Sequence, residues 1–148
     1  MADSIRKQIL DRVDTALSAV SKKNGYNTTI RYVSSRYLPH TAVPKSRFPA
    51  VFYIAGESVR EFRSWANMQE TIPLLCTGML FARNNVTAAD RDNMIRDIEK
   101  ALVSDTTLGT LAMVTPTGVV TDEGQIKNYA IWDQTFDILY FYDRADGG

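Results

Sequence analysis

The sequence predicts an α+β domain: an antiparallel or mixed β-sheet with two helices packed on one face. Three observations carry this. Residues 3–22 and 86–104 each repeat apolar side chains at helical spacing. Residues 130–142 alternate with a period of two, as a strand does. The remaining strand-like runs mostly follow one another without the helical crossover that parallel pairing needs.

The stretch 108–143 organises the rest. Its second arm places Ala130, Trp132, Gln134, Phe136, Ile138, Tyr140 and Tyr142 on one face. Ile131, Asp133, Thr135, Asp137, Leu139, Phe141 and Asp143 fall on the other. One face is almost wholly apolar and the other mixed. The polar turn Thr121-Asp122-Glu123-Gly124 separates this arm from the preceding one and makes the pair hairpin-like. Strands average about 5–6 residues, so this one must bend, bulge or reach out to pair with something else.

The first helix, 3–22, carries Ile5, Ile9, Val13, Ala16, Leu17 and Val20 on one stripe. Asp3 or Ser4 can cap it. Lys22-Lys23-Asn24-Gly25 reads as its stop, with Gly25 in the left-handed cap. Residues 28–36 read as a short strand and 37–47 as a loop holding Pro39 and Pro44. Residues 48–57 (FPAVFYIAGE) form a strand apolar on both faces, which belongs inside a sheet. Residues 58–69 read as a short helix or a loop. Residues 70–83 form a third strand, in which Pro73 argues for a bend or an edge and Gly78 for a bulge or close packing. In the second helix Thr87 and Asp90 make a capping pair, with Met94, Ile95, Ile98, Ala101 and Leu102 buried. Residues 105–109 end it, and 144–148 read as a frayed tail. A chain of 148 residues with 45% hydrophobic content is one domain with an ample core. The far face of the sheet also carries apolar residues, among them Met79 and Phe81 or their alternates. Few elements remain to cover it, which points to oligomerisation.

Charge and composition exclude several classes. The 17 basic and 17 acidic residues cancel, so overall charge gives no case for nucleic acid or an anionic membrane. No run of about 18 apolar residues spans a bilayer, and the N-terminus lacks a signal core. The chain reads as made and kept in a cytoplasm. One Cys and one His leave little for a disulfide or a zinc site. His40 has no acidic neighbour in sequence, and Cys76 lies in an apolar strand with no adjacent base. Asp133 and Asp137 share a strand face, and Asp122-Glu123 lie in a turn; strand spacing and turn propensity account for both. No catalytic residue, metal ligand or cofactor site is assigned. Two loops read as contact surfaces: 36–47, with Arg36, Lys45 and Arg47, and 58–69, with Arg60, Glu61, Arg63 and Trp65.

Four stretches together resemble one family. They are the first helix followed by Asn24-Gly25-Tyr26, the strand FPAVFYIAGE, the helix ending DIEKALVSDTTLG, and the strand pair around VTDEG. They are similar to the tail-terminator (tail-completion) proteins of long-tailed bacteriophages, over residues 5–142. The resemblance rests on element order and short phrases rather than a catalytic motif. It implies a structural virion protein, made in the host cytoplasm and sited in the virion tail. Such proteins form a six-fold ring on the head-proximal end of the tail tube, end its growth and present a head-joining surface. The implied partners are further copies of the chain, the tail tube protein and a head–tail connector or neck protein, with DNA only as passing cargo and no membrane. A ring needs a heterologous interface. The sheet, including Tyr140 and Tyr142 or their facing alternates, is expected to supply much of it, and the two loops to meet tube or neck. Neck and minor tail proteins, and adaptors of tail-like secretion machines, are the alternative. A small ligand-binding domain or enzyme would need a polar cluster, drawn from Asp133, Asp137 and His40, that spacing does not bring together.

Overall fold

The computed structural model describes residues 4–84, 86–103, 112–122, 125–143 and 145. Two helices, α1 (Ile5–Ser18) and α2 (Ala88–Val103), accompany six strands. These are β1 (Tyr32–Ser34), β2 (Ala50–Ala55), β3 (Val59–Phe62), β4 (Asn67–Phe81), β5 (Met113–Thr121) and β6 (Tyr129–Asp143). They form one mixed sheet in the order β1-β2-β4-β6-β5, with β3 also on β4. Only β1 and β2 run parallel; the other pairings are antiparallel.

The central ribbon is β4 with β6, paired from Asn67↔Asp143 to Phe81↔Tyr129. On the outer edge of β4, β2 and β3 lie end to end: β2 pairs with residues 74–79 and β3 with residues 68–71. This explains Pro73. Its carbonyl accepts from the Gly56 N–H at 2.7 Å, so its missing donor points to the same edge, into the junction between the two strands. The proline occupies a local edge inside a central strand. β6 meets its great length by pairing throughout, while the irregularity falls in β5, between Pro116 and Gly118.

The even residues of β6 from Ala130 to Tyr142 are all buried, and all but Gln134 lie in one cluster with Ile9, Val13 and Leu17 of α1 and Met94, Ile98 and Leu102 of α2. Both helices therefore cover one face. Ser4 caps α1 by accepting from the Lys7 N–H, and Thr87 caps α2 by accepting from Asp90. Gly78 is a close-packing glycine: a Cβ there would lie 2.3 Å from Trp132 Cζ2. Gln134, the polar member of the buried row, accepts from Trp132 Nε1 at 2.9 Å and donates to the Ile95 carbonyl at 3.1 Å. It joins sheet to helix without leaving a polar group unpaired.

Four expectations need correction. α1 ends at Ser18, because the Val20 carbonyl accepts from Ile30 and Ser21 is extended. Gly25, at φ 91°, closes the short 3-10 turn Lys22–Asn24 instead. The first strand shrinks to Tyr32–Ser34, since the amide of Thr28 goes to Asp97 and that of Ile30 to Val20. The segment 58–69 is neither helix nor loop: it is β3, a turn and the start of β4. Met79 is buried and Phe81 half-buried by the chain's own 38–48 segment, through Leu38, Val43 and Phe48. Residues 105–109, Glu123-Gly124 and most of the tail lie outside the described residues.

Candidate assembly surfaces

β3, the beginning of β4 and the end of β6 form a three-stranded arm that runs on past the end of β2. Its turn is closed by the amides of Arg63 and Ser64, both bonded to the Asn67 carbonyl, and by Ser64 Oγ accepting from the Asn67 N–H. Trp65 stands at the tip, 86% exposed, edge-on to the exposed Phe62 at 6.2 Å. The guanidinium of Arg63 bonds Gln69 Oε1 and lies 6.0 Å from the Phe141 ring.

The arm is anchored to α1 by a buried carboxylate. Glu70 is 1% exposed and sits between Arg6 of α1, at 3.6 Å, and Arg60 of β3, at 3.4 Å. Arg6 also donates to Ser58 Oγ. Arg60 lies over Tyr142, 5.6 Å from the ring centre. Arg60 is thus held by the fold; Arg63 is fixed through its Nε on Gln69 while remaining exposed over Phe141, and Trp65 is the side chain presented at the tip. The structure brings Arg60, Arg63, Trp65 and Tyr142 into one arm.

The loop residues behave differently. Arg36, Lys45 and Arg47 are exposed, but their segment folds back over the sheet. Lys45 Nζ sits 5.1 Å from the Phe81 ring and Arg47 lies 5.1 Å from Tyr32, so each cation covers an aromatic face of the second cluster. This end of the sheet is closed by its own chain. Tyr140 and Tyr142 are 1% and 6% exposed and face the helices, so neither presents surface in the protomer. The inward row of β6 took them because aromatic side chains fill a core as readily as an interface.

The facing alternates are the ones on the open side. Phe141 is 57% exposed, and Leu139, Leu75 and Ile54 line the same uncovered face with Val59 and Met113. In its middle lies a cleft of about 280 Å³ lined by Ile54, Pro73, Leu75, Thr117, Thr135 and Asp137, among others. Asp133 and Asp137 stand exposed on this face, Asp133 accepting from Thr77 Oγ1 at 2.8 Å. The odd positions of β6 signalled this face in the sequence; Ile54 and Leu75 were hidden in runs apolar on both sides.

The chemistry-bearing residues stay apart. His40 sits edge-on to Tyr129 at 4.7 Å, on the closed end of the sheet. Cys76 is buried, and burial pushes its thiol up to about 12. Burial, with the Asp14 carboxylate that accepts from its hydroxyl at 2.7 Å, raises Tyr53 above the ordinary phenol range. Among the described residues no group of three or more His, Cys, Asp or Glu could hold a metal. A second cleft of about 460 Å³, of mixed lining, lies between the start of α2 and the approach to β1, with Lys22, Arg31, Asp90 and Asn93 beside Pro49 and Leu80 among others. Among the described residues no helix is long and apolar enough to cross a membrane.

Fold and surfaces together define an α+β two-layer protein with one closed face and one partly open face. No protein-family model matches the chain, and a search of curated proteins returns no match.

Proposed function

We propose that this protein is a structural component of a phage tail: a terminator that forms a ring on the head-proximal end of the tail tube, stops its polymerisation and provides the head-joining surface. The observation that carries the reading is the pair of unlike exposed apolar surfaces on one small protomer: a projecting arm tipped by Trp65 and an open sheet face with an apolar cleft. A ring is built from such unlike patches, because each copy offers one to its neighbour on either side. The resemblance of the helix, strand and turn phrases to tail terminators supports the same reading. The neighbour copies, the tube protein and the neck are its partners, and DNA passes through the lumen.

The test is a tube-length assay. Tail tube protein is polymerised with and without the purified chain, and lengths are read by negative-stain electron microscopy. Tubes that stop growing and carry extra density at one end support termination. Tubes of unchanged length with no bound density refute it. Density along the tube side or at the tail tip favours a minor tail protein.

A further inference from the structure

We infer that the arm of one protomer docks into the open-face cleft of the next copy, with Trp65 entering the cleft and Arg63 meeting Asp137. This rests on the self-assembling reading above and names the contact that builds the ring.

The arm cannot fill its own cleft. Tyr142 pairs with Met68 at the arm and Asp137 pairs with Pro73 at the cleft, in one continuous ladder. At about 3.3 Å per residue the two sites are held roughly 17 Å apart along β6. An arm that enters this cleft therefore belongs to another copy.

A second copy of this chain supplies one whose chemistry fits. The 63–67 turn is Arg63-Ser64-Trp65-Ala66-Asn67, so its charge is the single guanidinium. Among the residues lining the cleft none is basic, and its one charged side chain is Asp137, with Asp133 further along the same strand face. The cleft floor is apolar, from Ile54, Pro73 and Leu75, and the hydroxyls of Thr117 and Thr135 stand at its side. An aromatic anchor in an apolar pocket beside one charge pair is the usual anatomy of an interface centre. Arm and cleft are different surfaces, so one-way arm-to-cleft contacts propagate around a ring, whereas two copies that exchange arms close as a pair.

Crosslinking tests this on the full chain. Ala66→Cys marks the arm and Thr135→Cys marks the cleft; both positions are exposed and neither is a proposed anchor. Cys76 is buried and stays unlabelled, so the unsubstituted chain is the control. With a short bismaleimide, a mixture of A66C and T135C is expected to give a covalent dimer, while each variant alone stays monomeric on a denaturing gel. A chain carrying both gives a ladder; a doubly substituted chain that stops at a crosslinked dimer identifies the exchanged pair and overturns the ring contact. Adding Trp65→Ala should cut the mixed product at least tenfold. The swap Arg63→Glu with Asp137→Arg should restore product that either change alone reduces. Crosslinks from T135C alone mean face-to-face pairing, crosslinks from A66C alone mean tip-to-tip pairing, and either, or no product at all, overturns the inference. Tubes that are capped without a mixed crosslink keep the terminator function and lose this contact. A mixed crosslink with uncapped tubes does the reverse.

Discussion

Replacing Gly78 by alanine adds one carbon where the indole of Trp132 already lies. The new Cβ would sit 2.3 Å from Cζ2, 2.4 Å from Cε2 and 2.8 Å from Nε1 of that ring. The ring is 1% exposed and cannot retreat into solvent. Its N–H is held by Gln134, which in turn holds the Ile95 carbonyl, so moving the ring strains or breaks two hydrogen bonds that link sheet to α2. Overpacking of this kind costs about 1–3 kcal/mol, and each compromised hydrogen bond adds about 1 kcal/mol. Alanine recovers roughly 0.5–1 kcal/mol of backbone entropy relative to glycine. The net loss is then roughly 2–4 kcal/mol, a fall in Tm of about 5–15 °C for a chain of this size. Urea unfolding followed by tryptophan emission measures it, since Trp132 is buried and Trp65 already faces water. Combining G78A with Trp132→Phe, a smaller ring, should recover part of the loss relative to the sum of the single changes. A G78A chain as stable as the parent refutes the packing argument.

Other consequences are equally open to measurement. Glu70→Ala leaves Arg6 and Arg60 without their shared carboxylate; both are partly exposed, so the cost is about 1–3 kcal/mol, less than for a fully buried pair. It should appear as faster hydrogen exchange confined to β3 and the start of β4, and uniform exchange across the arm and the β4–β6 centre counts against an anchor. Asp97→Ala removes the acceptor of the Thr28 amide and of Asn27 Nδ2, a loss of about 1.5–3 kcal/mol read by urea unfolding, with the Thr28 amide losing protection first. Alkaline pH destabilises the fold through Cys76 and Tyr53. Unfolded, the thiol loses its proton near its ordinary 9.0, while the folded thiol keeps it to about 12. Stability is therefore intact below pH 9 and falls as pH rises from 9 toward 12, by at most about 1.4 kcal/mol per pH unit for this group. Tyr53, raised in the same direction, adds to the slope above its ordinary value of 10.0. Urea midpoints at pH 8, 9 and 10 should show a flatter decline in Cys76→Ala than in the parent.

Periodicity made the layers legible. The alternation of β6 survived intact because every even residue faces the two helices, and the caps are local hydrogen bonds that sequence spacing brings within reach: Thr87 directly, and Ser4 as one of two candidates. The arm was not legible as strand because all four residues of β3 are exposed, so no burial pattern marks Val59-Arg60-Glu61-Phe62. Its strand character comes from pairing with residues 68–71, a non-local fact. Arg60, Arg63 and Trp65 were nonetheless singled out, because a tryptophan among charges is conspicuous wherever the backbone goes. Tyr140 and Tyr142 misled for the opposite reason: composition identifies an aromatic strand but not which of its faces the helices take. The 36–47 segment reads as a free basic loop, whereas its cations lie over Phe81 and Tyr32 and its apolar residues close one end of the far face.

The continuous β4–β6 ribbon has a mechanical consequence. Each strand has 15 residues, so the ribbon spans roughly 50 Å. A tug on the tip, along the strand axis, loads the ladder hydrogen bonds side by side in shear instead of opening them one at a time. The load passes from the 63–67 turn straight into the strands that the helices clamp, with no hinge residue between. Gly56, which marks the end of β2, lies on the neighbouring edge and outside that line. The arm therefore behaves as a stiff cantilever: displacement at its tip is transmitted to the protomer body as rotation and is not absorbed by local bending.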